Sequence, residues 1–304
     1  MTDRPLVSIV VPSFNQGSFL GETIESVLVQ HHRPLEVLVV DGASTDRTVE
    51  LLRQLEPRTP ELRWWSEPDD GPATAVNRGL ERARGTIVGI QSSDDLYRPG
   101  AIAEAVAVLE GDARLGLVCG DAEMIDAAGT VAGLLPQRLP VTIKRVLARS
   151  TVVHQSSTFF RADLARRVGG WNSAYFCCDT EFWLRLLTLA PGLRVAQVWS
   201  AWRKHEEQRD QLGVMFEEWG RMTRTSPAVQ KGGITRRLAA SAGRRLMAID
   251  YPPAGRGDVR RREIAAACVS YPPAILGVPP ALLPAAVAAL AGRVRTRLGV
   301  STWP

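Results

Sequence analysis

Asp94 and Asp95 stand side by side in Ser92-Ser93-Asp94-Asp95, directly after the apolar run at 86–91. Adjacent carboxylates at a strand end can share a hard divalent cation, Mn²⁺ or Mg²⁺. Such ions are commonly held by one or two carboxylates plus substrate phosphates. The same pair also fits a turn that leads into a helix cap. Asp41 ends a second apolar run at 35–40, and Ser13-Phe14-Asn15 follows a third at 6–11. Farther along, Asp179-Thr180-Glu181 opens a helical pattern in which Asp179 can serve as an N-cap. Glu181, two residues on, falls on another side of that helix. His205, near Trp202, is a candidate metal or phosphate contact, or else a structural imidazole. His31 and His32 follow a helical stretch and are expected at the surface.

The surrounding pattern says what positions these groups. Residues 6–11, 35–40, the pair Trp64-Trp65, 86–91 and 115–119 read as short buried strands. Residues 18–30, 47–55, 74–83 and 99–110 read as the helices between them. This alternation predicts an α/β fold, a mostly parallel Rossmann-like sheet with helices on both faces. Ligands of such sheets sit outside the carboxyl ends of the strands. Ser13-Phe14-Asn15, Asp41 and Ser93-Asp94-Asp95 are therefore expected along one edge. After about residue 135 the alternation fades, leaving a strand at 154–160 and a helix at 179–188. In that helix Phe182, Trp183, Leu186 and Leu187 point inward.

The chain has 304 residues, enough for a large α/β domain with an appendage. Its composition, 45% hydrophobic and 23% charged, excludes a mainly disordered chain. The net charge of +5 hides a gradient, from −7 over residues 1–110 to +11 over residues 219–304. Positive charge this local is weak support for nucleic-acid binding, and no recognition motif accompanies it. Cys119, Cys177, Cys178 and Cys268 form neither a CxxC pair nor a disulfide framework. With no signal-peptide core at the start, a cytoplasmic working compartment is expected. Residues 213–250 read as basic helices. Residues 264–292 carry no charge but contain two Pro-Pro pairs, which argue against a spanning helix. The extension 213–304 is expected either to lie on the anionic inner-membrane surface or to pack as a helical cap or homodimer contact.

Taken in order, several segments resemble family 2 glycosyltransferases. They are 7–15 (Val-Ser-Ile-Val-Val-Pro-Ser-Phe-Asn), 24–30, 36–48 with Val39-Val40-Asp41-Gly42-Ala43-Ser44-Thr45-Asp46, and Ser66-Glu67-Pro68-Asp69-Asp70-Gly71. Ala75-Val76-Asn77-Arg78-Gly79, Ser92-Ser93-Asp94-Asp95 with Pro99-Gly100, 179–186 and Arg203-Lys204-His205 continue the series. The resemblance spans about residues 6–210. It implies a GT-A nucleotide-diphospho-sugar fold over 1–212, with a donor half at 1–120 and an acceptor half at 121–212.

The resemblance implies inverting transfer from a nucleotide-diphospho-sugar, a UDP-sugar by default, to a glycan or lipid-linked acceptor of the cell envelope. Pro12, Ser13, Asn15, Asn77, Ser93 and Asp94 would line the donor pocket, and Asp41 would accept a hydrogen bond from the base. Asp95, with His205, would bind the Mn²⁺ or Mg²⁺ that bridges the diphosphate. Asp179 would be the general base, and His154, Gln155, Glu181 and Trp183 would face the acceptor. For Trp183, core packing is the reading the residues favour over an acceptor contact. Ser93 replaces the first carboxylate of the family's D-x-D triplet, and Thr74 stands where relatives often carry Asp. The rival readings are a sugar-nucleotide-binding scaffold without turnover and a nucleotidyltransferase on a related fold. A dehydrogenase is disfavoured, because the turn Pro12-Ser13-Phe14-Asn15-Gln16-Gly17 lacks GxGxxG.

Overall fold

The computed structural model describes residues 4–135, 140–206, 214–250, 259–278, 283–284 and 286–288. The chain divides into two compact units. The first comprises 1–138, 153–174 and 178–208, and the second comprises 139–152, 175–177 and 209–304. The expected boundary after residue 212 falls outside the described residues. The second unit also draws in two short pieces from earlier in the chain.

The first unit opens with the expected alternation: β1 (Val7–Ser13), α1 (Leu20–Leu28), β2 (Leu35–Asp41), α2 (Thr48–Leu55), β3 (Leu62–Ser66), α3 (Pro72–Arg82) and β4 (Ile87–Ile90). Almost every residue of β1, β2 and β4 is buried, as strands covered on both faces require. Then come β5 (Leu96–Tyr97), α4 (Ala101–Gly111), β6 (Leu117–Ile125) and β7 (Val131–Leu135). α5 (Ile143–Leu147), which belongs to the second unit, precedes β8 (Thr158–Arg161), α6 (Ala162–Val168), α7 (Cys178–Leu189) and β9 (Gly192–Arg203). Among the described residues the strands form one sheet in the order β3-β2-β1-β4-β8-β6-β9-β5, with β7 on β6. β1 to β4 are parallel, β8 runs antiparallel to β4 and β6, and β9 runs parallel to β6. The sheet is thus mixed but mostly parallel. α3 lies so close to β1 that a Cβ on Gly79 would run into Val10.

The sequence reading missed β5, β7, β9, α5 and α6. It also began the strand at 154–160 too early, since 155–157 form a 3₁₀ turn before β8. His32, expected at the surface, is buried, with Nε2 2.9 Å from the Pro5 carbonyl.

One polar cluster sits inside this apolar frame. Glu36 of β2 is 2% exposed, and its Oε1 accepts from Ser8 Oγ at 2.6 Å and from Arg84 N–H at 2.8 Å. Arg84 Nε adds a bond to Oε2 at 2.9 Å. Burial raises the Glu36 pKa, but these donors outweigh it and hold the carboxyl below its ordinary 4.5. A depressed pKa contributes stability that is present above the ordinary value and lost as pH falls through the folded one. Glu36→Gln should therefore lower stability at pH 7 by about 1–3 kcal/mol, with the deficit shrinking under acid. Urea melts at pH 7 and below pH 4.5 test this; equal midpoints at pH 7 would exclude it.

The second unit is helical: α5, α8 (Met215–Thr225), α9 (Pro227–Gln230), α10 (Gly233–Asp250), α11 (Val259–Ser270) and a 3₁₀ stretch at Pro272–Gly277. Ala242 and Leu246 of α10 form a core with Ile264, Ala267, Cys268, Ala274 and Val278. These residues of the uncharged stretch are core. Among the described residues no helix is long and apolar enough to cross a membrane.

Candidate active site

Three loops meet where β1, β2 and β4 end. Asn15 adopts a left-handed backbone (φ 53°), a conformation Asn tolerates better than most side chains. It is tied down at both ends. Its N–H donates to Ser44 Oγ at 2.7 Å, and its Oδ1 accepts from Thr45 N–H at 2.9 Å. Gly42 N–H donates to the Ser13 carbonyl at 2.8 Å, so the first two loops are stitched together. Pro12 is half-buried. Ser13 is buried, and its hydroxyl has no hydrogen-bond partner among the described residues.

Asp41 is fully buried. Its Oδ2 accepts from Ser44 N–H at 2.9 Å and Ser66 Oγ at 2.7 Å, and its Oδ1 accepts from Ser44 Oγ. The carboxylate expected to face a base also braces the loop from inside. Asn77 is also engaged, donating to the Trp171 carbonyl at 2.8 Å and accepting from Trp171 N–H at 2.7 Å.

The third loop carries the acidic pair. Thr23 Oγ1 of α1 donates to the carbonyls of Ser93 and Asp95, each at 2.9 Å. Asp95 is 2% exposed, while the Asp94 side chain keeps 17% exposure. Burial, and then the neighbouring Asp94 charge, push the Asp95 carboxyl well above the usual carboxylate range. The end of β9 closes over this pair. Arg203 N–H donates to Asp95 Oδ1 at 2.9 Å and Arg203 Nε to the Asp94 carbonyl at 2.8 Å. His205 Nε2 lies 3.0 Å from Asp94 Oδ2, and its ring packs 4.8 Å from that of Phe19. His205 is thus placed beside the acidic pair. Arg203, fully buried, is a site residue that sequence reasoning missed. Its signal was the spacing of two to His205.

These groups fit a divalent ion in chemistry. Asp94, Asp95 and His205 offer oxygen and imidazole donors, and the buried carboxylates have a surplus of negative charge. Among the described residues no three such side chains form a complete cage. Mg²⁺-type sites completed by substrate phosphates need none.

The expected acceptor residues separate into two groups. Gln155 Nε2 donates to Ser92 Oγ at 3.2 Å, so it adjoins the acidic loop. Burial pushes the His154 imidazole down to about 4, leaving it neutral at pH 7. Trp183 is fully buried among Phe160 and Phe182, with ring centroids 5.5 and 5.0 Å away. Glu181 is fully buried and paired with Arg185 at 2.7 Å. Neither reaches the surface to meet an acceptor: their helix positions point them into the core. Asp179 is half-buried in the first turn of α7.

A mostly parallel α/β sheet with an acidic pair and interlocked loops at its carboxyl edge is the GT-A architecture of sugar-transferring enzymes. Residues 8–166 match the family model described as Glycosyl transferase family 2, and the chain belongs to that family. It is a glycosyltransferase. An uncharacterized glycosyltransferase of Mycobacterium tuberculosis is 32% identical over 189 residues, which is 61% of this chain and 70% of that protein. The putative teichuronic acid biosynthesis glycosyltransferase TuaG of Bacillus subtilis is 38% identical over 96 residues, 31% of this chain and 38% of its own. Among solved structures, S. aureus TarS 1–349 with UDP-GlcNAc superposes with a TM-score of 0.64 at 15% identity, covering 96% of this chain and 92% of that one. The mannosyltransferase PcManGT of Pyrobaculum calidifontis, with GDP-Man and Mn²⁺, gives 0.59 at 21% identity, covering 99% and 89%. At these identities the two structures speak for the fold.

Proposed function

We propose that the protein transfers a sugar from a nucleotide-diphospho-sugar, preferably a UDP-sugar, to a hydroxyl of a glycan or lipid-linked acceptor, with inversion. The observation that carries this reading is the closure of Arg203 and His205 onto Asp94 and Asp95. It builds one polar site from segments 108 and 111 residues apart. The donors named for TarS and PcManGT support the donor class, and the biosynthetic role named for TuaG supports a cell-envelope acceptor. The net +11 of residues 219–304 supports work close to an anionic cytoplasmic membrane surface.

Asp94, Asp95 and His205 would hold a divalent ion, which supplies Lewis-acid neutralisation of the diphosphate. Ser13, Asn15 and Ser93 border the donor. Asp179 takes the proton of the acceptor hydroxyl as its oxygen attacks the anomeric carbon. The bond from that carbon to the phosphate oxygen breaks, and the nucleoside diphosphate leaves with the electron pair. One displacement turns an α-linked donor into a β-linked product.

A thermal-shift panel of UDP-, GDP- and dTDP-sugars with and without Mn²⁺, on wild type and Asp95→Ala, tests the donor site. Ligand at 100 times its Kd should add about 2.7 kcal/mol of stability. The expected result is a Mn²⁺-dependent shift with one nucleotide, absent in Asp95→Ala. No shift with any sugar nucleotide would point to a scaffold.

A further inference from the structure

The outer side of α10 carries an apolar stripe set among cations. Helical residues at i, i+4, i+7 and i+11 share one side. On α10 these are Ile234, Leu238, Ser241 and Arg245, and none of them is buried. Ile234 is 73% exposed, more than any other large hydrophobic side chain among the described residues, and Leu238 is 39% exposed. The opposite side, with Ala239, Ala240, Gly243, Leu246 and Met247, is buried. Gly243 sits so close to α5 that a Cβ there would lie 1.8 Å from the Leu147 carbonyl oxygen. Ala242 and Leu246 are held in the core with α11. The helix therefore cannot roll to hide Ile234 and Leu238, and it presents both to its surroundings.

Charge says what would cover them. Arg237 is exposed on the same helix, and Lys231 is exposed in the turn just before it. Neither has an ion pair among the described residues. Arg244 and Arg245 are compensated, by Glu217 at 3.6 Å and Glu263 at 3.0 Å. The segment 219–304 as a whole carries +11. An apolar groove on another protein would take the two aliphatic side chains but has no need of the surplus cations. An anionic lipid surface takes both: aliphatic groups enter the headgroup layer while Lys and Arg reach the lipid phosphates at its rim.

We infer that α10 is a docking helix for an anionic lipid surface, with Ile234 and Leu238 inserted and Arg237 and Lys231 against lipid phosphates. This rests on the membrane-proximal part of the function proposed above, and it names the element that makes the contact.

Co-sedimentation of the full chain with vesicles tests it, using phosphatidylcholine alone and an equal mixture with phosphatidylglycerol. Wild type should bind the anionic vesicles, leave the neutral ones, and release as salt rises. The double variant Ile234→Ser with Leu238→Ser should bind roughly 10–100-fold more weakly, because the apolar insertion is lost. Arg237→Gln should bind roughly fivefold more weakly. All three positions are exposed, so the melting temperatures should match wild type. Anionic-vesicle binding that the folded double variant keeps in full would overturn the assignment to α10 and leave the membrane-proximal reading standing. Wild type that binds neither vesicle would overturn both. A concentration-dependent dimer in sedimentation velocity, abolished in the double variant, would give the face to a second copy of the chain and overturn the lipid assignment.

Discussion

Replacing Asp179 with asparagine is expected to lower sugar transfer by about 10²–10⁴-fold, the usual contribution of a general base. Donor binding should stay intact. Asparagine keeps the volume and can still accept hydrogen bonds at the start of α7, but it cannot hold the acceptor's proton. Glu181 is the natural comparison, since it lies two residues away on the same helix. It is fully buried, and Arg185 bonds it at 2.7 Å while also donating to the Gly170 carbonyl at 2.6 Å. Glu181→Gln should therefore lower the melting temperature while the folded fraction keeps its turnover. Steady-state kinetics with UDP titration on both variants separates the roles. Asp179→Asn retaining more than about a tenth of wild-type kcat would remove it as the base.

The difference between Asp179 and Glu181 shows where sequence reading works and where it stops. β1, β2 and β4 were readable because both faces are buried, so their apolar runs are unbroken and end abruptly in polar residues. The carboxyl-edge site followed from that alone. β9 was not readable: its first seven residues are only partly buried, so neither a clean alternation nor a continuous run marks it. β5 has two residues, too few for any period, and β7 is largely exposed. In the second unit the uncharged stretch at 264–292 carried no cue to its partner. Ile264 and Ala267 pack against α10, a pairing that depends on chain geometry between them.

Site residues divided in the same way. The place of Asp95 after a strand fits a turn as well, and its candidate role came only with the family resemblance. Asp41 was readable as a candidate site carboxylate, but not as one braced from within, because Ser66 reaches it from 25 residues away. Glu181 was carried as an acceptor contact beside Asp179, whereas the inward pattern of the helix marked Trp183 as core. A helix turns about 100° per residue, so such neighbours do not share a face.

Arg203→Ala is expected to be among the most damaging single changes outside the apolar core, at about 2–6 kcal/mol for two buried carbonyls left unsatisfied. The side chain is 1% exposed and donates to the Asp94 carbonyl at 2.8 Å, the Ala127 carbonyl at 2.8 Å and Glu22 at 2.6 Å. Its guanidinium lies 4.9 Å from the Phe19 ring centroid. Glu22 is 61% exposed, so that ion pair by itself contributes little. The loss comes from two carbonyls stripped of their donors, and from a cavity beneath the acidic pair. Lysine keeps the charge but not the fork, so Arg203→Lys should recover part of the stability. Yet the Asp94 carbonyl loses a donor of fixed direction, and the loop carrying Asp94 and Asp95 loosens. Arg203→Lys should thus show weaker Mn²⁺-dependent nucleotide binding even where it is folded. Thermal melts and nucleotide titrations on both variants check the two effects separately. An Arg203→Ala protein that melts like wild type and binds nucleotide equally well would mean that the acidic loop holds its shape without the Arg203 side chain.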